Sequence, residues 1–304
     1  MLVLLNKMLL LLLLMSLGYV GARKKLLTPE FTKGASWLTM NVFLTATILN
    51  AAFAGATELG LAEIGRVLLF FTLSFGFCYA LSFALTRLLR IDRERAPVFE
   101  LLVSVVNNMY VGLPVVQLLY GPGRPAVYMA ISCLPFNFLL FSYGVWRLRG
   151  GGKGAVRWRD MLSVPMISTL VTLVLILLRP PVPGVIKDMA STISGATVPL
   201  SMIVIGSSLG RVSLLDAFRE KSLYLASFLR LIAAPVLVWL LLGSLCGEKL
   251  LADTMVITAA CPSGVLVSIL SIQYGQDVEY ASKGVLMSTA LSMLTIPALV
   301  ALLL

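Results

Sequence analysis

The chain has 304 residues, of which 59% are hydrophobic and only 12% are charged. A soluble domain carries about 25% charged residues, so this composition excludes a soluble globular protein and predicts an integral membrane protein. The net charge of +10 comes from short basic clusters between apolar segments. Such clusters are typical of cytoplasmic loops, so we predict no nucleic-acid partner.

Ten apolar segments follow one another along the chain. A bilayer core of about 30 Å needs roughly 20 apolar residues in a helix, and each segment approximately meets that length. None shows the strict alternation of a barrel strand, so we predict an all-α integral membrane protein with ten transmembrane helices. The predicted spans cover residues 1–20, 34–55, 66–86, 97–120, 125–146, 161–178, 186–209, 221–246, 251–274 and 281–304.

Basic residues in the loops predict the orientation of these spans. Loops on one side carry 17 Lys and Arg residues, and loops on the other side carry 5. The positive-inside rule places the basic side in the cytoplasm and both termini outside. The first span has Arg23, Lys24 and Lys25 after its apolar run, whereas a signal peptide carries its positive charge in front. We therefore predict a multi-pass protein of the cytoplasmic membrane.

The two halves of the chain share a pattern. The dipeptide YG closes the fourth span at 120–121 and the ninth span at 274–275, an offset of 154 residues. Each half holds five predicted spans, an odd number, so the second half enters the membrane in the opposite sense. We predict two inverted five-helix repeats, residues 1–149 and 161–304, joined by a glycine-rich, basic cytoplasmic linker at 150–160.

Both repeats interrupt a span at the same place. The offset maps Pro262 in AACPSG (259–264) onto Asn108 in VNNMYVGLP (106–114). Each break lies about 10 residues, or roughly 15 Å, into its span, so both fall near the midplane. Matched interruptions at that depth mark a transporter's binding site, and two half-helix N-termini there favour an anion such as a carboxylate. The alternative is that glycine and proline only kink each helix.

Other polar side chains lie inside the spans. Arg230 in the eighth span is either a counter-ion for an anionic substrate or a structural residue that snorkels towards the interface or clamps backbone carbonyls. Asn41 in the second span and Asn137 in the fifth either line the pathway or hold helices together. The chain has no histidine and no pair of mid-depth acids, which disfavours a proton exchanger or an intramembrane hydrolase. We predict no enzyme activity, no metal and no cofactor.

Several motifs resemble the auxin efflux carrier family, whose bacterial members include malate- and malonate-type carriers. They are, in the family's order, NNMYVGLPVVQLLYG (107–121), VPLSMIVIGSSLG (198–210), ACPSGVLVSILSIQYGQDVEYAS (260–282) and STALSMLTIPAL (288–299). The resemblance covers essentially the whole chain. It implies that spans four and nine cross as broken helices in a transport domain. That domain would make an elevator-like movement against a scaffold of spans one, two, six and seven.

The resemblance also implies site residues. Asn107 matches the family's asparagine before G-x-P, which helps to bind the substrate carboxylate, and Pro262 matches the proline of span nine. The resemblance and the repeat together give these predicted substrate-binding residues at the breaks: Asn107, Asn108, Gly112, Pro114, Pro262, Ser263 and Gly264.

We therefore predict a secondary transporter for a small organic anion, a mono- or dicarboxylate. Na⁺ and H⁺ are the candidate coupling ions, the lipid bilayer is a necessary partner, and a homodimer is one candidate assembly. Two alternatives stay open. One is a sodium-coupled symporter of the bile-acid type, in which backbone carbonyls coordinate the ion. The other is a non-transporting membrane sensor, which is expected to carry a soluble signalling domain.

Overall fold

Helices make up the regular structure of the computed structural model, which describes residues 2–53, 59–150, 164–178, 180–211 and 218–304. Across these ranges we number twelve helical segments: α1 (Leu2–Arg23), α2 (Pro29–Phe53), α3 (Leu61–Leu88), α4 (Ala96–Ser104), α5 (108–120), α6 (Arg124–Leu148), α7 (Val164–Leu178), α8 (Gly184–Leu209), α9 (Lys221–Gly243), α10 (Lys249–Ala260), α11 (Leu266–Gln273) and α12 (Val278–Leu303). The only strand-like pairing in the described ranges is an antiparallel bridge between Val106 and Ser263. The all-α prediction is confirmed for these residues.

Six of the described helices are long and apolar enough to cross a membrane, judged by length and composition: α2, α3, α6, α8, α9 and α12. Every predicted span contains helix, and the predicted interruptions are present between α4 and α5 and between α10 and α11. The arrangement of the ten spans as two inverted repeats stays a prediction. The predicted linker at 150–160 lies outside the described residues apart from Gly150.

Some helices begin earlier than their apolar runs because polar residues cap them. Thr28 precedes α2, and its hydroxyl accepts the Phe31 N–H at 3.2 Å, while Pro29 occupies the first helical turn. Proline suits that turn because its missing N–H has no helical partner there. Asp277 caps α12 in the same way and accepts the Tyr280 N–H at 2.9 Å. The predicted start of the second span at residue 34 is therefore about one turn too late.

Wide π-helical turns accompany two prolines inside the membrane segments. The turn Asn108–Gly112 opens α5 and is followed by Pro114, and the turn Leu229–Ala233 of α9 is followed by Pro235. A proline ring clashes with the carbonyl four residues earlier in a regular α-helix. The wider turn lies at that carbonyl, and such turns are often found at functional sites.

The chain divides into two compact units, which we describe separately. The first unit comprises Met1–Leu68, Met109–Leu134 and Leu162–Val212. Within it α1 and α8 approach so closely that the two glycines at their contact, Gly18 and Gly206, have no room for a side chain. A β-carbon added to Gly18 would lie 2.1 Å from the Ile203 carbonyl oxygen, and one added to Gly206 would lie 1.9 Å from that of Met15. Small residues at such contacts let membrane helices pack backbone to backbone.

Hydroxyl groups join α2 to α7 and α8 within the first unit. The Thr47 and Thr197 hydroxyls share a hydrogen bond of 2.7 Å, and Thr197 also donates to the Phe43 carbonyl at 3.1 Å. On α7, Thr172 donates to the Ile48 carbonyl at 3.3 Å. These contacts satisfy buried hydroxyls that lipid would leave without partners.

The second unit comprises Leu69–Asn108, Pro135–Met161 and Ser213–Leu304. Its α4 carries Glu100, whose carboxylate is fully buried. Arg147 of α6 binds that carboxylate through two donors, Nε at 2.7 Å and Nη2 at 2.8 Å, and the Tyr143 hydroxyl donates to it at 3.1 Å. A bidentate arginine and a hydroxyl supply the donors that a buried carboxylate needs, so this ion pair fixes α4 against α6.

The α1–α8 contact predicts the effect of a single methyl group. We expect Gly206→Ala to lower the free energy of unfolding by about 1–3 kcal/mol, because its methyl overlaps the Met15 backbone. The matched control is Gly34→Ala in α2, where an added β-carbon meets nothing within 4 Å. Thermal unfolding of the purified proteins measures both. Equal melting temperatures for Gly206→Ala and wild type would contradict the close packing of α1 and α8.

Candidate functional site

The two interrupted helices meet where their helical structure stops. Residues 105–107 follow α4, residues 262–264 follow α10, and the two segments run antiparallel. The Asn107 N–H donates to the Pro262 carbonyl at 2.8 Å, and the Gly264 N–H donates to the Val105 carbonyl at 2.9 Å. We call this pair of segments the backbone bridge. It supplies partners for polar backbone groups that have left a helix while buried inside the protein.

The sequence of the second segment explains its shape. The residue before a proline is driven to an extended conformation, and Cys261 has φ −66° and ψ 149°. Pro262 lacks an N–H but offers its carbonyl to Asn107. A β-carbon on Gly264 would lie 3.0 Å from the Val106 carbonyl oxygen, so glycine allows the two segments to approach. The predicted residues Pro262 and Gly264 therefore shape the bridge through the backbone.

Ser263 links the bridge to the end of α4 and to α12. Its side chain is buried, and its hydroxyl donates to the Leu102 carbonyl at 2.6 Å. Its own N–H donates to the Ser288 hydroxyl at 3.1 Å. Leu102 lies in the last turn of α4, where carbonyls have no helical partner. Sequence reasoning did not identify Ser288, because no spacing rule connects it to a residue 25 positions away.

Arg230 lies in the π-helical turn of α9, and its side chain is completely buried. Nε donates to the Cys261 carbonyl at 3.1 Å, and Nη1 donates to the carbonyls of Val103 at 2.9 Å and Ser104 at 3.4 Å. Nη2 donates to the Ala259 carbonyl. A charge at the centre of a membrane costs about 2.5–3.5 kcal/mol on insertion scales, and charge-assisted hydrogen bonds offset that cost. These contacts match the carbonyl clamp that was one of the sequence interpretations of Arg230.

Asn107 is the last residue of the first bridge segment, and Asn108 follows it as the first residue of α5. Asn107 is 7% exposed, and its hydrogen bond to Pro262 uses only its backbone. Asn108 is 3% exposed, and its side-chain nitrogen has no hydrogen-bond partner within the described part of the chain. A buried polar group without a partner costs about 1–3 kcal/mol, so such a group calls for an explanation. An acceptor on a bound ligand would supply the missing partner.

The remaining predicted residues lie apart from these hydrogen bonds. Gly112 ends the π-helical turn of α5, and Pro114 is buried in the helical turn that follows; both belong to the first unit. Asn41, also in the first unit, donates its amide to the Trp37 carbonyl of its own helix at 2.8 Å. Asn137 is 5% exposed in α6 of the second unit and makes none of the bridge's hydrogen bonds. The structure thus groups Pro262, Ser263, Gly264, Asn107 and Arg230 and leaves Asn41 and Asn137 outside that group.

The helices and the bridge define a class of protein: a multi-pass membrane protein with two interrupted helices whose breaks pair with each other. The model of the family described as membrane transport protein matches residues 3–156 and 152–300. The chain therefore belongs to this transporter family, which is the auxin efflux carrier family that its motifs resemble.

Two archaeal proteins are similar over much of the chain. An uncharacterized transporter of Methanothermobacter thermautotrophicus is 24% identical over 291 residues, which is 94% of this chain and 94% of that protein. An uncharacterized transporter of Methanocaldococcus jannaschii is 25% identical over 203 residues, which is 64% of this chain and 65% of that protein. Both similarities point to transport and leave the substrate open.

The Ser263 hydroxyl provides a test of the bridge. We expect Ser263→Ala to lower the free energy of unfolding by about 1–3 kcal/mol, because it leaves the buried Leu102 carbonyl without its donor. The control is Ser271→Ala in α11, where an equally buried hydroxyl donates to the Val267 carbonyl of its own helix. Unfolding followed by tryptophan fluorescence measures both variants. Equal losses in the two variants would show that the Ser263 hydrogen bond has no special role.

Proposed function

We propose that this protein is a secondary carrier that moves a small organic anion, a mono- or dicarboxylate, across the cytoplasmic membrane. The observation that carries the proposal is the unpartnered side-chain nitrogen of Asn108, a buried donor at the first residue of α5. A carboxylate oxygen is an acceptor and fits that donor. Membership of a transporter family supports the assignment to transport.

The charge around the bridge supports an anion over a cation. Helix N-termini carry about half a positive elementary charge and unpaired N–H groups. Two helices begin just after the bridge segments, α5 at Asn108 and α11 at Leu266. No residue of the bridge is acidic. Amide nitrogens and helix N-termini bind carboxylates, and a cation would instead need oxygen ligands or acidic side chains.

Contacts between equivalent positions support the inverted repeat that this proposal includes. Residues related by a two-fold axis touch each other where they lie near that axis. Thr197 donates to the Phe43 carbonyl, and these residues are 154 positions apart, which is the repeat offset. Asn107 and Pro262, joined in the bridge, are 155 apart. We therefore propose ten transmembrane helices in two inverted repeats, residues 1–149 and 161–304, with both termini outside.

The proposed mechanism is an elevator-like movement of the second unit. The first unit contains α1, α2, α7 and α8, which correspond to the predicted scaffold spans one, two, six and seven, and it also contains α5 from Met109 on, which belongs to the predicted transport span four. The second unit contains the whole backbone bridge together with Arg230. Because the bridge and its supporting contacts belong to one compact unit, a bound anion would travel with that unit.

Conversion of one amide to a carboxylate tests the proposal. We expect Asn108→Asp to reduce counterflow of radiolabelled carboxylates in proteoliposomes by about tenfold or more, because the new negative charge repels the anion and the donors are lost. The panel contains mono- and dicarboxylates, neutral amides and cations. Each uptake is measured with and without a sodium or proton gradient, which also tests the sodium-coupled alternative.

The matched control is Asn6→Asp, the same chemical change at an exposed amide in α1, and it is expected to leave counterflow unchanged. Counterflow of neutral or cationic solutes alone would overturn the anion proposal. Carboxylate counterflow at the wild-type rate in Asn108→Asp would show that Asn108 is not part of the binding site.

A further inference from the structure

Arg230 carries a full positive charge inside the second unit. Its side chain has no exposed surface, and its hydrogen bonds go to backbone carbonyls. Arginine keeps its proton in proteins, so this charge is permanent. Among the described residues it makes no ion pair with an aspartate or a glutamate. Its compensation has to come from the carbonyls themselves.

Those carbonyls lie at the C-terminal ends of two different helices. Val103 and Ser104 are the last residues of α4, while Ala259 lies in the last turn of α10 and Cys261 directly follows it. A helix C-terminus carries about half a negative elementary charge. One guanidinium therefore offsets the negative ends of both helices that lead into the bridge.

The first turns of the two helices that leave the bridge, residues 108–111 and 266–269, contain no acidic residue. Their N-terminal ends at Asn108 and Leu266 carry the opposite partial charge, and the Asn108 amide nitrogen lacks a partner. Without Arg230, the negative ends of α4 and α10 would oppose an anion held beside the bridge. With Arg230 in place, the positive partial charges at the start of α5 and α11 are no longer opposed by those negative ends.

We propose that Arg230 is a positioning residue that sets the charge preference of the bridge. By neutralising the C-terminal ends of α4 and α10, it makes the bridge selective for anions without touching the substrate. This inference rests on the proposed function, and it replaces the direct counter-ion role considered from the sequence. It also explains the residue type, because a planar guanidinium directs donors to both helix ends at once, whereas a lysine ammonium is a single point.

The first measurement needs no ligand. Cys261 is completely buried and gives its carbonyl to Arg230 Nε, so its alkylation by N-ethylmaleimide reports on the clamp. In the full-length protein in proteoliposomes, mass spectrometry resolves alkylation at each cysteine. We expect Arg230→Met to speed alkylation of Cys261 by about tenfold and to leave Cys133, buried in the first unit, unchanged. Parallel increases at both cysteines would indicate general unfolding and overturn the local role.

The second measurement tests charge preference with malonate and its neutral diamide, malonamide, as competing probes. We expect Arg230→Met to lower the preference for malonate by about tenfold, since two uncompensated helix ends now oppose it. Arg230→Lys keeps the charge but reaches fewer of the four carbonyls, so it is expected to lose less of the preference than Arg230→Met while its Cys261 becomes more reactive. The control Lys249→Met removes an exposed cation that pairs with Asp253 and is expected to change neither quantity.

The outcomes separate this inference from the proposed function. An unchanged malonate preference in Arg230→Met, or a loss in Arg230→Lys as large as in Arg230→Met, overturns the charge role. If Arg230→Met does not fold, Arg230→Gln, which also removes the charge, is measured in its place. Absence of any anion preference in the wild-type protein overturns the proposed function. In that case an unchanged Cys261 alkylation rate overturns the clamp as well, whereas a faster rate supports it.

Discussion

A polypeptide that leaves a helix inside a membrane has to find partners for its backbone without help from water. In this protein two buried segments that leave a helix find those partners in each other. The carbonyls at the end of α4 are satisfied one by one: Leu101 by the Val105 N–H, Leu102 by the Ser263 hydroxyl, Val103 and Ser104 by Arg230, and Val105 by the Gly264 N–H. The Ser263 hydroxyl, from the second segment of the bridge, and the Arg230 guanidinium, from α9, pair the carbonyls that the backbone hydrogen bonds leave without donors.

Hydrogen bonds satisfy the polar groups before the bridge but not all of those after it. The carbonyls at the end of α4 are paired. At the start of α5, the buried amide nitrogen of Asn108 has no partner in the described residues. Folding rarely leaves a buried donor unpaired unless something else uses it. A site prepared with donors and without nearby acids is suited to an acceptor of negative charge, which is the basis for proposing an organic anion.

The sequence predicts where the two helices are interrupted, but it does not predict which contacts support the interruptions. The breaks were predictable because Asn107 and Pro262 place an amide side chain and a proline ring at matching positions in apolar runs. The effect of the proline on the backbone before it follows from local geometry alone. The partners of Arg230 were not predictable, because they are backbone carbonyls and every residue has one. Asn41 was predicted either to line a pathway or to hold helices together; its amide donates to the Trp37 carbonyl of its own helix, and its role stays a prediction.

The same hydrogen bonds limit how such a carrier can work. A bridge whose segments are tied to each other, to α12 through Ser288 and to α9 through Arg230 is stiff, because opening it would expose several backbone groups to lipid at once. A stiff centre cannot provide alternating access by bending at its own break. The proposed change of access is movement of the second unit as a body, which keeps the paired segments 105–107 and 262–264 together. The flexion that this movement needs would fall directly after Asn108, where the chain passes into the first unit.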